Sequence, residues 1–353
     1  METLPLVATV SDMDADEARE LTLADIARLA GVGLGTASRA LRGLPNVAPA
    51  TRQKVLEVAE KHAYVASPEA SQLKKGSTGR VAVVTPHLAR WFFGEMLDGI
   101  ESVLRQARYD VLLYHVGNLE DRRSFFELLP ARRKVDAVVV VGFPVEESER
   151  QRLELMLGVQ IVAAGGQHEV YPHVCIDDVQ AGHQAMGHLL ALGHQRIAMI
   201  EAIDPEQPRQ PSGRSAAYHQ ALAEAGVGSD PSLVVTTDWG GEQGAAGMAR
   251  LLSLPELPTA VYAHSDEVAF GAMRTIRDAG LRIPEDISIV GIDDHPHASL
   301  VHLTTVKQDV RLQGMLTAKM LLGLLRNEES VERALTVETQ LVVRHTTMSP
   351  RPG

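Results

Sequence analysis

The run Leu23–Leu41, LADIARLAGVGLGTASRAL, decides how this chain is read. Thr22 stands at a helix N-cap position, and Asp25, three residues on, places a carboxylate in the first turn, where the helix dipole favours it. Leu23, Ile26, Ala27 and Ala30 then recur at helical spacing. Gly31-Val32-Gly33 breaks the period and lets the chain turn tightly. A second amphipathic segment follows, with Ala37, Ala40 and Leu41 on one face and Thr36, Ser38, Arg39 and Arg42 on the other. Two short helices across a glycine turn predict a helix-turn-helix. A third helix is predicted from Pro49, a residue suited to the first helical position, through Val55, Leu56, Val58 and Ala59 to Tyr64. Pattern alone leaves the role open, because helical hairpins with glycine turns also occur in proteins that never touch DNA.

Charge bears on the choice once the chain is divided. The 353 residues carry a formal net charge of −11, which by itself argues against a nucleic-acid partner. Residues 1–21 hold six acids (Glu2, Asp12, Asp14, Asp16, Glu17, Glu20) and one base, Arg19, so 1–20 is expected to be an acidic, disordered tail. Residues 22–75 hold eight bases and four acids, and the remainder carries −10. A short basic module on a large acidic body fits phosphate contact at one end only. An ordinary solvated face fits the same count.

The residues themselves separate these readings. The stretch from Leu23 to Val32, followed by Thr36 to Leu41, closely resembles the reading head of the lactose-repressor (LacI/GalR) family, and Val47-Ala48-Pro49-Ala50-Thr51-Arg52 with Tyr64 continue the likeness. The resemblance implies that the second helix lies in the major groove, so Thr22, Leu34, Gly35, Thr36, Ser38, Arg39 and Arg42 are expected at bases and phosphates. Gly33, Leu34 and Gly35 depart from the polar cap and base-reading side chains usual there, and Leu34 offers only apolar contact, for example to a thymine methyl. Ala48 replaces the usual Ser cap of the third helix, at a cost on the order of 1 kcal/mol.

Between Tyr64 and Arg80 lies a segment of barely two predicted helical turns and a flexible linker, too short a helix to be stable alone. Its Ala70-x-x-Leu73 spacing resembles the family's hinge helix, which implies that Leu73 wedges into the minor groove and bends the duplex. Ser67 and Ser71 depart from the usual Asn and Arg or Gln. An ordinary linker, with Leu73 packed on the body, is the alternative.

From Arg80 onward, apolar runs alternate with helical patterns: Val81 to Val84, Val111 to Val116, Ala137 to Val141, Ile161 to Ala164, Ile197 to Ile200, Ala260 to Ala263 and Ile287 to Ile292. This is the signature of a doubly wound parallel sheet, and a composition 45% hydrophobic but only 4% aromatic suits helices packed on one. Ligands bind such sheets beyond the carboxyl ends of the strands. Phe92, Phe93, Arg214, Trp239, Ser265, Asp266, Asp293 and Asp294 are candidates there. Aromatic faces with carboxylates and an arginine suit a polyhydroxylated ligand. Structural roles compete: core for the two phenylalanines, a helix cap for Asp266, an ion pair for Arg214 with Asp293.

The resemblance continues through Leu189-x-x-Leu192-Gly193-His194, Arg214-x-x-x-Tyr218, Ile283-Pro284-Glu285-Asp286-Ile287-Ser288, Gly291-x-Asp293-Asp294 and Leu303-Thr304-Thr305-Val306. It implies effector contacts at Phe92 or Phe93, Arg214, Trp239, Ser265, Asp293 and Gln308. It also implies a small all-α helix-turn-helix head (21–66), a hinge (67–79), an α/β two-lobed doubly wound body resembling periplasmic sugar-binding proteins (80–347) and a tail (348–353). The chain is expected to cross between lobes near Asp177, Asp309 and Val337, giving an N-lobe of about 80–177 and 309–337 and a C-lobe of about 178–308 and 338–347. Ser265 stands where Asn is usual, and Gly165-Gly166 where an Asp or Arg often points into the pocket. Bulk missing at that strand end is expected to admit a larger ligand, such as an oligosaccharide.

Other chemistries lack their residues. Cys175 is the single cysteine, so neither an intramolecular disulfide nor a cysteine metal cluster forms. His183, His188, His194, His295 and His297 do not have zinc-site spacing. Gly165-Gly166 and Gly240-Gly241 are not followed by a phosphate-loop Lys-Ser or Lys-Thr, and Ser212-Gly213-Arg214 and Ser265-Asp266 are not nucleophile elbows. There is no apolar run of about 20 residues and no basic-plus-apolar leader, so a cytoplasmic location is expected. The sequence thus predicts a non-enzymatic, cofactor-free DNA-binding regulator, a repressor rather than an activator. It would act as a homodimer or higher oligomer on a pseudo-palindromic operator, under a small-molecule effector that is a sugar or oligosaccharide, with a purine or nucleoside as the alternative. The competing class is a soluble binding or catalytic protein whose N-terminal helices only mediate assembly.

Overall fold

The computed structural model describes residues 21–64, 77–156, 158–166, 170–204 and 212–351, and the chain divides into two units, Met1–Gly76 and Ser77–Gly353. The acidic tail and the predicted hinge residues Ala70 and Leu73 lie outside the described residues.

In the first unit, α1 (Leu23–Leu29), α2 (Leu34–Leu41) and α3 (Pro49–Lys61) surround a core of Ile26, Ala27, Ala30, Ala37, Ala40 and Val55. Thr22 and Asp25 form a reciprocal capping box: Asp25 N donates to Thr22 Oγ1 at 3.3 Å, and Thr22 N donates to the Asp25 carboxylate at 3.0 Å. Gly33 and Ala48 give α2 and α3 no side-chain cap. Arg52 compensates at the other end of α2, donating to Ala40 O at 3.3 Å and to Leu44 O at 2.5 Å. One of the bases counted toward phosphate contact therefore ties helices together. Leu56, read within the third helix's apolar run, faces outward at 40% exposure.

The second unit begins with β1 (Arg80–Thr85), α4 (Trp91–Gln106), β2 (Asp110–His115), α5 (Leu119–Leu128), β3 (Ala137–Val141), α6 (Glu147–Glu154), β4 (Gln160–Ala164) and β5 (His173–Ile176). It continues with α7 (Asp178–Ala191), β6 (Ile197–Ala202), α8 (Gly213–Glu224), β7 (Val234–Thr237), α9 (Gly241–Leu252), β8 (Ala260–Ala263) and α10 (Asp266–Asp278). It closes with β9 (Ser288–Asp293), α11 (Pro296–Leu300), β10 (Thr304–Lys307), α12 (Val310–Leu325), β11 (Ala334–Val337) and β12 (Gln340–Val342). One sheet has the order β11-β5-β4-β3-β1-β2 and is parallel throughout; the other runs β12-β10-β9-β8-β6-β7, with only β12 antiparallel. The chain leaves the first sheet after Ile176, returns after Lys307 and leaves again after Val337.

The seven apolar runs are strands, and among the described residues five further strands are not marked by apolar runs. β10 shows why: Thr304 and Thr305 are fully buried, with Thr304 N donating to Thr346 Oγ1 at 2.8 Å and Thr305 Oγ1 donating to Asp266 Oδ1 at 2.6 Å. Polar side chains satisfied inside the core erase the strand's hydrophobic signature. α12 lies against α4 backbone to backbone, since a Cβ on Gly314 would stand 2.3 Å from Met96 O. That contact fixes where α12 presents its residues beneath the cleft between the lobes.

Candidate functional site

The carboxyl ends of both sheets face one another across a cleft of about 250 Å³. The N-lobe contributes Phe92 and Phe93 from the first turn of α4 and Phe143 after β3. Gly142 and Gly165, at the ends of β3 and β4, both have φ in the left-handed region, +72° and +74°, where a side chain is disfavoured. A Cβ on Gly142 would lie 2.6 Å from the Phe93 ring, and one on Gly165 2.7 Å from the Phe92 ring. This corrects the expectation of missing bulk at Gly165, where the Phe92 ring occupies the space; beside Gly166 nothing lies within 4 Å of a Cβ position.

The C-lobe wall is polar. Arg214, at the start of α8, donates from Nε to Asp178 Oδ1 at 2.7 Å, donates to the His264 carbonyl, and has Nη1 3.9 Å from Asp293 Oδ1. Both the cleft position and the ion pair suggested for Arg214 therefore hold. Asp293 and Asp294 have positive φ, 132° and 55°, strained for non-glycine residues. The strain is held by partners: Arg344 Nη2 donates to Asp294 at 2.5 Å, and His295 N donates to Asp266 at 2.8 Å. Burial pushes the Asp293 carboxyl up to about 6, against the lowering by Arg214 and the hydrogen bond from Gln308. Gln308 Nε2 donates to Asp293 Oδ1 at 2.6 Å. Trp239, after β7, and Ser265 also line the cleft.

Ser265, not Asp266, caps α10, accepting from Val268 N at 3.3 Å. Asp266 is fully buried among Thr305, His295 and Gly291, and Asp294 is held by Arg344. Neither lines the cleft described here. Sequence reasoning missed His87, Arg90, Asp178, Asp204, Glu267 and Gln313, all on its walls. Asp178 follows β5, a four-residue strand with no distinctive pattern; Gln313 had a signal, a lone amide on the inward face of an apolar helix. Two pairs bridge the lobes: His87 Nε2 with Asp204 Oδ2 at 2.9 Å, and Arg90 Nη2 with Asp238 Oδ1 at 3.3 Å.

Ser215 and His264 meet at 3.3 Å but cannot act as a nucleophile and base. His264 Nδ1 accepts from Ala202 N at 3.2 Å, which leaves the ring proton on Nε2, and the Ser215 hydroxyl donates to Glu201. Burial drives the imidazole pKa down to about 3. Cys175 is buried, its thiol pushed up to about 11 by burial and by Asp178 and Asp177. Among the described residues, no His/Cys/Asp/Glu cluster could hold a metal ion, and no helix is long and apolar enough to cross a membrane.

On the first unit, Leu34 is 55% exposed and Gly35, Arg39 and Arg42 are exposed, while Thr36 and Ser38 are half-buried. A Cβ on Gly35 would meet only the tip of Arg39, so α2 presents an open, low-relief surface at its start. Arg42 Nε donates to Ser38 O at 3.1 Å, and the Thr22 hydroxyl donates to Asp25 at 2.6 Å.

Comparison with known proteins follows these two regions. A model of bacterial regulatory proteins of the lacI family matches residues 22–67, and one of periplasmic binding protein-like domains matches residues 186–347. Catabolite control protein A of Priestia megaterium is 30% identical over 318 residues, 89% of this chain and 95% of that protein. The lac repressor dimer bound to operator and the anti-inducer ONPF aligns with a TM-score of 0.82 at 27% identity, over 94% of this chain and 100% of that one. The transcriptional regulator CelR in complex with cellobiose aligns with a TM-score of 0.68 at 30% identity, over 92% and 99%.

Proposed function

The chain belongs to the LacI family, DNA-binding transcriptional regulators with an effector-binding domain, and from that premise we propose that its cleft senses a neutral polyhydroxylated molecule, a sugar or short oligosaccharide. The observation that carries this reading is that the arginines among the described cleft residues are already neutralised. Arg214 faces Asp178 and Asp293, and Arg90 faces Asp238, while Asp204 and Glu267 add further carboxylates. A phosphate or carboxylate on the ligand would have to break one of those pairs, whereas hydroxyl donors meet ready acceptors. Phe92, Phe93, Phe143 and Trp239 supply faces for the apolar side of a sugar ring. The cellobiose complex of the similar CelR supports the same class.

The regulator acts as a homodimeric repressor on a pseudo-palindromic operator, two copies of α2 each entering a major groove. The ligand works by binding one arrangement of the lobes better than another, with His87–Asp204 and Arg90–Asp238 among the contacts that change. Ala70 and Leu73 are the candidates for carrying that change to DNA.

Calorimetry with cellobiose, glucose, ribose, adenosine and glucose 6-phosphate tests the ligand class: neutral sugars bind and glucose 6-phosphate does not. Binding of adenosine alone would favour the nucleoside reading instead. A gel-shift series on the chain's own upstream region at several salt concentrations tests the operator, and removal of residues 1–79 should abolish the shift while sugar binding survives. Sequence-independent binding under all conditions would defeat the operator reading. Arg39→Ala should reduce the salt slope by about one.

A further inference from the structure

Gln313 lies on the inward face of α12 with Val310, Gly314, Thr317, Ala318 and Leu321. It is completely buried and yet lines the cleft. Its Nε2 donates to Gln308 Oε1 at 3.0 Å, and Gln308 Nε2 donates in turn to Asp293 Oδ1 at 2.6 Å. Gln313 Oε1 has no hydrogen-bond partner among the described residues. A buried amide oxygen without a partner costs free energy, and such groups in a native structure call for an explanation.

Asp293 dictates which way both amides face. Beside Arg214, its carboxylate acts as an acceptor, so Gln308 must turn its NH2 toward it. That leaves Gln308 Oε1 facing Gln313, which must answer with its own NH2. The two amide orientations thus follow from a charge and are not interchangeable. What remains at the free end of the relay is an acceptor. α12 packs on α4, β4 and β5 of the N-lobe, whereas Asp293 ends β9 and Gln308 follows β10 of the C-lobe, so the relay spans both walls.

We propose that Gln313 is a specificity-determining residue of the cleft, its Oε1 accepting a hydrogen bond from one hydroxyl of a neutral polyhydroxylated ligand. The assignment rests on the ligand class proposed above and sharpens it. At that position the ligand must bring a donor; an ether oxygen, a deoxy carbon or a phosphate oxygen leaves the buried acceptor unsatisfied. A site that hydrogen-bonds a substrate hydroxyl rejects the analogue lacking it far more strongly than an apolar pocket discriminates by size.

The test titrates cellobiose, glucose and ribose into the full chain, then the monodeoxy derivatives of whichever sugar binds. One derivative should bind the wild type roughly 10-fold or more weakly than its parent. Gln313→Met should bind parent and derivative equally, both at the weakened level. Its unfolding midpoint should stay close to wild type, because it exchanges the unpartnered Gln313 Oε1 for an unpartnered Gln308 Oε1. Wild-type affinity of Gln313→Met for the parent sugar, or the same penalty for the derivative in both proteins, overturns the assignment. A crystal structure of the wild-type complex reads the contact without any variant: a sugar hydroxyl within about 3.2 Å of Gln313 Oε1 is expected, and its absence overturns the proposal. If no neutral sugar binds, the ligand class itself is rejected and the role of Gln313 falls with it. Sugar binding indifferent to Gln313→Met rejects Gln313 alone.

Discussion

The N-lobe meets the cleft with Phe92, Phe93 and Phe143 around Gly142 and Gly165, while the C-lobe meets it with Arg214, Asp178, Asp293 and Gln308 in one hydrogen-bonded and charged network. Both walls sit at the carboxyl ends of parallel strands, but they are held in different ways. The aromatic wall depends on shape: its rings fill the volume that two left-handed glycines leave open. The polar wall depends on pairing, and each member leaves a buried partner exposed to loss. The first wall should tolerate apolar repacking. The second should fail when one group is removed.

The largest effect is expected from Arg214→Met. It leaves Asp293 buried without its cation, and breaking a buried pair in this way costs about 3–5 kcal/mol. Denaturant unfolding of the full chain measures it, and a loss below about 1 kcal/mol would show that the polar wall is not a connected network.

Acid should reach the polar wall next. His264 is held neutral with a pKa of about 3 against an ordinary 6.5, so its contribution to stability is complete above pH 6.5 and declines as pH falls toward 3. At pH 5 the loss amounts to about 2 kcal/mol. Asp293 works in the opposite direction: its raised pKa, about 6 against 3.8, stabilises the fold below pH 3.8, and that contribution is lost as pH rises through 6. Replacing His264 by Gln should therefore flatten or reverse the fall in unfolding midpoint between pH 7 and pH 5. An unchanged slope would mean that other histidines, His295 among them, carry the acid sensitivity.

The aromatic wall is probed by a pair of neighbours. Gly165→Ala forces a Cβ against the Phe92 ring at a left-handed φ and should cost about 1–3 kcal/mol as well as sugar affinity. Gly166→Ala, with nothing within 4 Å of its Cβ, should stay within about 0.5 kcal/mol of wild type. Equal effects at the two positions would refute the packing of Phe92 against Gly165. On the same wall, Phe143→Leu is an apolar exchange expected to cost less than about 1.5 kcal/mol and to change sugar affinity only modestly.

Local chemistry in the sequence was enough for the head. Thr22, Asp25 and the glycine turn are separated by a few residues, so capping and helix breaks can be read directly. The parallel strands with long apolar runs were equally legible, because a strand covered on both faces is apolar along its whole length. β10 was not, since its buried threonines are satisfied by Thr346 and Asp266, which lie about 40 residues away in sequence. The cleft residues named from the sequence, Phe92, Phe93, Arg214, Trp239, Ser265, Asp293 and Gln308, do line one cavity. What they do there was hidden: Ser265 also caps a helix, Phe92 fills the space beside Gly165, and Arg214 is already paired.

The sequence by itself determined the helix-turn-helix, the alternating strands and helices, and which residue types gather at the strand ends. These follow from periodicity, capping and glycine, all of which act over a few residues. Only the tertiary structure decided the polarity of the cleft. Whether Arg214 is free for an anion, whether Gly165 opens space, and which face of Gln313 is left for a ligand depend on contacts between residues far apart in the chain. Burial then makes each of those contacts either satisfied or costly, which no local pattern encodes.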